Sequence, residues 1–334
     1  MISIMAMNVN DAYPLGIMHL RENGVVQKSQ HGSTLEMSEP VSVMYLKPRE
    51  RILFDPVRDS NPFLNMFEAL WLIQGRNDVE FLKYLVDDMK KYSDDGETYY
   101  GAYGKRMFST IGTEEENQVS LAIKRLRENP DDRQVVIMIR EADDMGYYGK
   151  DNPCNLLISC KIRNNKLNIH VFNRSNDFVW GMTGTNVVQF SMLQEYMAGL
   201  IGVEVGTYHQ TTDSMHVYDN PQWDKVKNAE FLFSPYGMGD VKPCNMMENP
   251  EHWDNDLQSF FDKFDNGSNN HDYQSEFFNK TVKPMWKTFY EYRAWKNGVR
   301  EYTKYALIES CNNIQASDWR LACKQWLSRR KEPV

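Results

Sequence analysis

Two apolar segments, Leu156–Ile162 and Leu167–Phe172, are separated only by Arg163-Asn164-Asn165-Lys166. Short apolar runs on either side of a polar tetrapeptide read as a pair of strands joined by a hairpin. Upstream, Val135-Val136-Ile137-Met138-Ile139 is the kind of run that a buried strand carries. Downstream, residues 187–201 read as a long apolar helix and Val203–Thr211 as another strand. Strands that recur along the chain with helices between them define an α+β body.

The flanks fit that body. Residues 33–54 read as extended: Val41, Val43 and Tyr45 alternate with other residues before Pro48-Arg49-Glu50 turns the chain. Residues 62–74 read as a helix, with Pro62 in its first turn and Phe63, Phe67, Leu70 and Trp71 on one stripe. Asp94-Asp95-Gly96 is a turn, and residues 117–128 form a helix closed by Asn129-Pro130. From about 245 the composition changes. A polar, asparagine-rich stretch that includes Asp265-Asn266-Gly267-Ser268-Asn269-Asn270 leads into a helical tail. There Phe277, Phe278, Trp286, Phe289, Tyr290 and Trp295 make an apolar stripe. The expected organisation is a catalytic domain over 1–245 and a mainly helical extension over 246–334.

Composition narrows the function. A net charge of −8 argues against a general duplex-DNA binder, which needs a cationic face, but leaves room for a pocket that holds one phosphate. No apolar run approaches the ~18–20 residues of a membrane span. Residues 1–20 lack the basic and apolar segments of a secretory signal. Cys154, Cys160, Cys244, Cys311 and Cys323 are an odd, scattered set, read as reduced thiols of a cytoplasmic protein. They show neither CxxC spacing nor a Cys/His zinc pattern.

Cys154 differs from the other cysteines. Pro153 stiffens the backbone before it, and Asp151, Asn152 and Asn155 flank it, whereas Cys160 sits between Ile158 and Ile162 in an apolar strand. A free cysteine is usually a small buried hydrophobe. By its neighbours, Cys160 is that residue and Cys154 is the nucleophile, with Arg174 as a cation able to favour its thiolate. Glu68 lies beside the apolar stripe of its helix, a costly place for a carboxylate unless it is paired or solvated.

The ordered set Pro153-Cys154, Arg174-Ser175-Asn176-Asp177, Gly181, Asn186 and His216-Val217-Tyr218 resembles the thymidylate synthase superfamily. So do Glu68 before Leu70-Trp71 and the element Tyr103-Gly104-Lys105. The resemblance covers roughly residues 30–220. It implies a thymidylate synthase-like α+β fold, a mixed sheet packed with helices, and one-carbon transfer to C5 of a pyrimidine nucleotide monophosphate. The donor would be 5,10-methylenetetrahydrofolate. Addition of the Cys154 thiolate to C6 makes C5 nucleophilic, which divides one hard step into easier ones. By the same resemblance, Glu68 relays protons and Tyr103 helps to remove the C5 proton. Arg174, Ser175 and Arg133 contact phosphate, and Arg133 comes from the partner of an obligate homodimer. His216 and Tyr218 bind the sugar, Asn186 reads the base, and Asp177, Gly181 and Arg58 hold the folate.

The departures are specific. The family's tandem arginine is Arg133-Gln134 here, and Ser29-Gln30-His31-Gly32 carries Gln30 where a phosphate arginine is expected. Asn155 replaces the histidine that follows the cysteine, and Asn186 falls one residue late after Gly181. Asp151 replaces an apolar residue three before Cys154, Val86–Tyr92 contains no tryptophan, and the chain ends Arg329-Arg330-Lys331-Glu332-Pro333-Val334 without a match to the family's closing terminus. A methylene on C5 that is left wet reacts with water rather than hydride, so these changes favour a 5-hydroxymethyl product, as in phage nucleotide hydroxymethylases. Asp151 or Glu68 would hold that water. Asn186 both donates and accepts, which suits dUMP over dCMP or CMP. The alternatives are a thymidylate synthase making dTMP, a non-catalytic nucleotide-binding homologue and a cysteine hydrolase.

Overall fold

The computed structural model describes residues 1–29, 32–111, 116–228, 234–266, 272–299 and 301–332. Gln30 and His31 of the expected phosphate loop, Gly267–Asn270 of the polar stretch, and the terminal Pro333 and Val334 lie outside the described residues. The chain divides into two compact units. One comprises Met1–Leu53 with Leu64–Leu232, and the other Phe54–Phe63 with Phe233–Val334. The second unit therefore includes residues 233–245 and the short segment 54–63, in addition to the expected 246–334.

The first unit is built on one mixed sheet. Its strands are β1 (Ile2–Ala6), β2 (Gly24–Ser29), β3 (Gly32–Met37), β4 (Val41–Tyr45), β5 (Val136–Met138), β6 (Asn155–Arg163), β7 (Lys166–Asp177) and β8 (Glu204–Tyr218). The order is β1-β4-β8-β7-β6-β5, with β3 pairing the far end of β8 and β2 pairing β3. The hairpin between β6 and β7 turns on Asn164 and Asn165 at φ 51° and 57°. Positive φ at both central residues is what a tight two-residue hairpin requires, and asparagine tolerates it better than most residues. β7 and β8 run parallel, so the chain needs a crossover between them. The helix Asn186–Ile201 supplies it.

That helix is α6, after α1 (Val9–Asn23), α2 (Pro62–Ile73), α3 (Val79–Leu85), α4 (Tyr103–Phe108) and α5 (Gln118–Glu128). The expected helices over 62–74, 117–128 and 187–201 are thus present to within a residue. The sequence reading did not identify β1, β2 or α1. α1 contains Pro14, which masks its helical pattern, and Gly16, where an added Cβ would fall 2.0 Å from the Phe178 ring. Gly16 therefore lets Phe178 pack directly onto the helix, where it also stacks on Tyr13 at 6.1 Å.

One sheet face is dry. The row Val43–Gln210–Val171–Ile158–Ile137 crosses β4, β8, β7, β6 and β5 in register, and each residue is at most 1% exposed. Gln210 is accommodated there because its amide donates to the Met182 carbonyl (2.7 Å) and the Tyr45 hydroxyl (2.9 Å). The opposite face carries the row Met44–His209–His170–Ser159–Val136, which is only partly covered; Val136 is 45% exposed.

The second unit is mainly helical. After α7 (Pro221–Val226) in the first unit, it contains α8 (Pro235–Met238), α9 (Trp253–Asn266), α10 (Lys283–Lys296), α11 (Lys304–Ser310) and α12 (Ser317–Ser328). Trp253, Phe278, Phe289, Cys311 and Cys323 are fully buried there. Tyr290 departs from the expected stripe: it is 47% exposed, because one residue beyond Phe289 turns it about 100° around the helix. Buried Asp318 accepts from the Tyr236 hydroxyl and from the Trp319 amide. Among the described residues no helix is long and apolar enough to cross a membrane.

Candidate active site

Cys154, the expected nucleophile, sits immediately before β6. β6 and β7 are antiparallel, so Asn155 faces Asn173, and the Arg174 amide bonds the Cys154 carbonyl at 2.9 Å. This register brings the Arg174 side chain over the residues that precede the strand. Its Nε donates to the Pro153 carbonyl (3.0 Å), its Nη2 donates to the Asn152 carbonyl (2.9 Å), and Nη2 lies 3.5 Å from Cys154 Sγ. Arg140 donates to the Asn152 side chain (2.6 Å) and to the Pro153 carbonyl (3.3 Å). The two guanidinium groups clamp the segment that presents the thiol. The sequence reading missed Arg140, whose signal is a lone cation ending the apolar run 135–139.

The electrostatics refine the expected role of Arg174. Burial pushes the Cys154 thiol above its ordinary value; Arg174 and, less strongly, Arg140 oppose this, and Asp151 adds to it. Arg174 thus favours the thiolate without overcoming desolvation. Cys160 has no such cation, and burial alone pushes it up to about 12.

Beside this segment is a cavity of about 200 Å³. α2 contributes Glu68, Trp71 and Leu72 to its wall; the loop into α4 contributes Tyr99 and Gly101, and α4 its first residue, Tyr103; Asp151 comes from the Cys154 segment; and Thr185, Asn186 and Gln189 come from the start of α6. Met89 and Tyr92 stand where the sequence lacks a tryptophan, and Trp71 supplies an indole from α2. Burial raises the Glu68 carboxyl to about 7, and its Oε2 has no hydrogen-bond partner among the described residues. Asp151 is also raised by burial, while its Oδ2 accepts the Gly101 amide at 2.8 Å. Gly101 is obligatory for this contact, since a Cβ there would fall 2.5 Å from the Asp151 carbonyl oxygen. The Tyr103 phenol is raised well above its ordinary value, by burial first and then by Cys154 and Asp151, and the Cys154 backbone amide faces it. Glu68, Tyr103, Asp151 and Asn186 therefore converge, with Cys154 adjoining them.

The remaining site residues fall into three groups. Ser175 and Asp177 on β7 pair with Ser214 and His216 on β8. The His216 ring lies edge-on to Tyr218 at 5.4 Å, as the i, i+2 spacing on one strand face requires. His216 Nδ1 sits 3.3 Å from the Ser214 carbonyl oxygen, and the Tyr218 phenol is raised by burial, Asp177 and Cys154. Second, Asp177 caps the turn that follows β7 by accepting from the Val179 and Trp180 amides. The space that Gly181 leaves is taken by the Asn176 side chain, whose Oδ1 would lie 2.4 Å from an added Cβ; the same oxygen accepts from Asn186 at 3.3 Å. Third, Arg133 and Arg58 stand apart from the cavity wall. Arg133 is exposed in the turn after α5, and Arg58 is buried in the second unit.

Sequence reading also missed Tyr99 and Gln189. Both are buried, both line the cavity, and Tyr99 Oη and Gln189 Oε1 lack hydrogen-bond partners among the described residues. Flat aromatic and apolar side chains thus alternate with unpartnered polar atoms along the wall.

Comparison with known proteins gives consistent relatives. The family model described as thymidylate synthase matches residues 58–230. The deoxyuridylate hydroxymethyltransferase of Pseudomonas phage M6 is 38% identical over 336 residues, covering 97% of this chain and 93% of its own. The deoxyuridylate hydroxymethyltransferase of Bacillus phage SP01 is 40% identical over 216 residues, covering 62% of this chain and 56% of its own. A putative thymidylate synthase of Methanosarcina barkeri is 27% identical over 225 residues, covering 67% and 93%.

Proposed function

The chain belongs to the thymidylate synthase family, and from that premise we propose that it converts deoxyuridylate to the 5-hydroxymethyl nucleotide. Cys154 adds to C6 of the uracil ring and Arg174 steadies its thiolate. Methylenetetrahydrofolate, held by Asp177 and the turn around Gly181, supplies the one-carbon unit at C5. Arg58 is assigned to the folate tail by family resemblance alone. Tyr103 takes part in removal of the C5 proton. Glu68, with a carboxyl near neutrality, exchanges protons with the ring, since a group titrating close to the working pH can both give and take a proton. Asn186 reads the uracil edge, Arg174, Ser175 and Arg133 hold the phosphate, and His216 with Tyr218 holds the sugar.

The observation that carries the hydroxymethyl outcome is Asp151 in the cavity wall. A carboxylate three residues before the nucleophile, raised by burial and anchored by Gly101, makes that wall polar where a hydride route needs it dry. The relatives named deoxyuridylate hydroxymethyltransferase support the same reading. Incubation with dUMP, dCMP or CMP and methylenetetrahydrofolate tests it. The expected result is a hydroxymethylated dUMP without dihydrofolate. Methylated product with stoichiometric dihydrofolate would make the protein a dTMP-forming enzyme.

The assembly proposed with this function is a homodimer. Its support is the half-covered sheet face, where Val136 and Met138 stand 45% and 46% exposed beside His170 and His209. Exposed apolar side chains grouped on the edge strand β5 of a partly covered face suit a partner surface. A partner across that face is compatible with Arg133 acting in the neighbour's site.

A further inference from the structure

Tyr99 is a polar group without an assigned task in the reaction. It is 5% exposed and lines the cavity, yet its hydroxyl has no hydrogen-bond partner among the described residues. Its placement is rigid. The Tyr99 amide donates to the Asn77 carbonyl at 2.8 Å, and the ring packs edge-on to Trp71 at 6.0 Å. A buried hydroxyl without a partner costs about 1–3 kcal/mol, so its retention in a rigid setting points to a ligand. Asp151 and Glu68 line the same cavity, and both act electrostatically on the Tyr99 phenol, which burial already keeps protonated.

We propose that Tyr99 and Asp151 together form the binding site for the water that attacks the exocyclic methylene of the Cys154-bound nucleotide. The inference rests on the hydroxymethyl reading and adds Tyr99 as a catalytic residue. Asp151 has one oxygen on the Gly101 amide, so the carboxylate is oriented for the water by the backbone. A phenol both donates and accepts; Tyr99 accepts a hydrogen bond from the water hydrogen that stays on oxygen, while Asp151 takes the other as a proton, which leaves a lone pair on the water oxygen for attack. The oxygen bonds to the methylene carbon, and the methylene π pair moves to form the C4–C5 double bond with negative charge on the C4 oxygen. The proton lost by the water resides on Asp151. Collapse of that enolate re-forms the C4 carbonyl, creates the C5–C6 double bond and breaks the C6–S bond, so that Cys154 leaves as a thiolate. No electrons leave the system, and no reductant is consumed.

The test uses Tyr99→Phe in the full-length enzyme, with Asp151→Asn as a second variant. In a single turnover with enzyme in excess, tritium release from [5-³H]dUMP reports the steps before water attack, and hydroxymethyl product reports the steps after it. In Tyr99→Phe, product formation should fall by ~10- to 100-fold, less than the ~10²–10⁴-fold of a group that itself transfers the proton. Tritium release should fall less, and intact-protein mass should show a nucleotide-plus-methylene adduct accumulating on Cys154. Asp151→Asn should show the same uncoupling. Equal slowing of tritium release and product, or no change in either, would overturn the proposal. The two readings fail separately: methyl product from the unaltered enzyme would remove the hydroxymethyl reading, whereas hydroxymethyl product with an unaffected Tyr99→Phe would remove only the water site.

Discussion

The β6–β7 ladder has a dry stretch and a polar end. In the dry stretch Ile158 and Val171 pair in register, Cys160 faces Ile169, and each of these residues is at most 2% exposed. Beyond the register shift between Asn155 and Leu157, the same two strands carry Asn155, Asn173 and Asn176, each at most 4% exposed. Both amide atoms of Asn155, Oδ1 of Asn173 and Nδ2 of Asn176 lack partners among the described residues. Unsatisfied buried polar atoms cost stability, whereas buried apolar rows supply it. One pair of strands thus stabilises the fold along its middle and gives up stability at the end that presents Cys154. That division is the physical signature of a site.

The sharpest way to break the comparison is to change each cysteine. Cys154→Ser should lower turnover by at least ~10⁴-fold, the scale expected when a covalent nucleophile is removed. It should abolish covalent trapping by 5-fluoro-dUMP, with nucleotide binding retained. Cys160→Ser should retain turnover and lower stability by about 1–3 kcal/mol, because it puts a hydroxyl into an apolar row. A Cys154→Ser enzyme of near-normal rate, or an inactive but folded Cys160→Ser enzyme, would erase the distinction.

Glu68→Gln should come next, with a loss of ~10²–10⁴-fold in rate. The inflection near 7 in the pH profile of kcat/KM should vanish with it. The stability effect has a definite sign. The folded-state pKa of Glu68 is raised to about 7 from 4.5, so its contribution to stability is fully present below about 4.5 and is lost as pH rises through 7. The Tm advantage of Glu68→Gln over the unaltered protein should therefore be larger at pH 8 than at pH 5, as thermal melts at both values would reveal. A smaller effect is expected of Arg133, whose loss weakens phosphate binding. At a dUMP concentration too low for the Arg133 variant to turn over, mixing it with an inactive Cys154 variant should restore partial activity through heterodimers; no recovery after demonstrated subunit exchange would contradict the shared site. Least effect on chemistry is expected from Ile158→Ala. It should cost about 2–5 kcal/mol of stability and leave turnover of the folded fraction unchanged, as denaturant titration beside an active-site count would establish.

Much of this was legible from residues alone. The hairpin at Asn164-Asn165, the apolar run of β5, and α2, α5 and α6 have strong local signals. So does Cys154, whose flanks are polar where those of Cys160 are apolar. β1, α1 and the hydroxyl of Tyr99 were not legible. α1 carries Pro14 in its interior, and β1 acquires its place only by parallel pairing with β4, far along the chain. Tyr99 reads as one aromatic in a tyrosine-rich turn until the fold sets it against Trp71 and in one cavity with Asp151. Gly181 shows the converse: its sequence position was clear, but the space it leaves serves the Asn176–Asn186 pair.

The cavity that Asp151 and Tyr99 line should admit a reactive water. The most direct test is a reaction with dUMP and methylenetetrahydrofolate in H₂¹⁸O, followed by product mass and by analysis of the folate. The expected product is a 5-hydroxymethyl nucleotide that carries one ¹⁸O from solvent, with the folate released as tetrahydrofolate. A methyl product free of ¹⁸O, formed together with dihydrofolate, would contradict it.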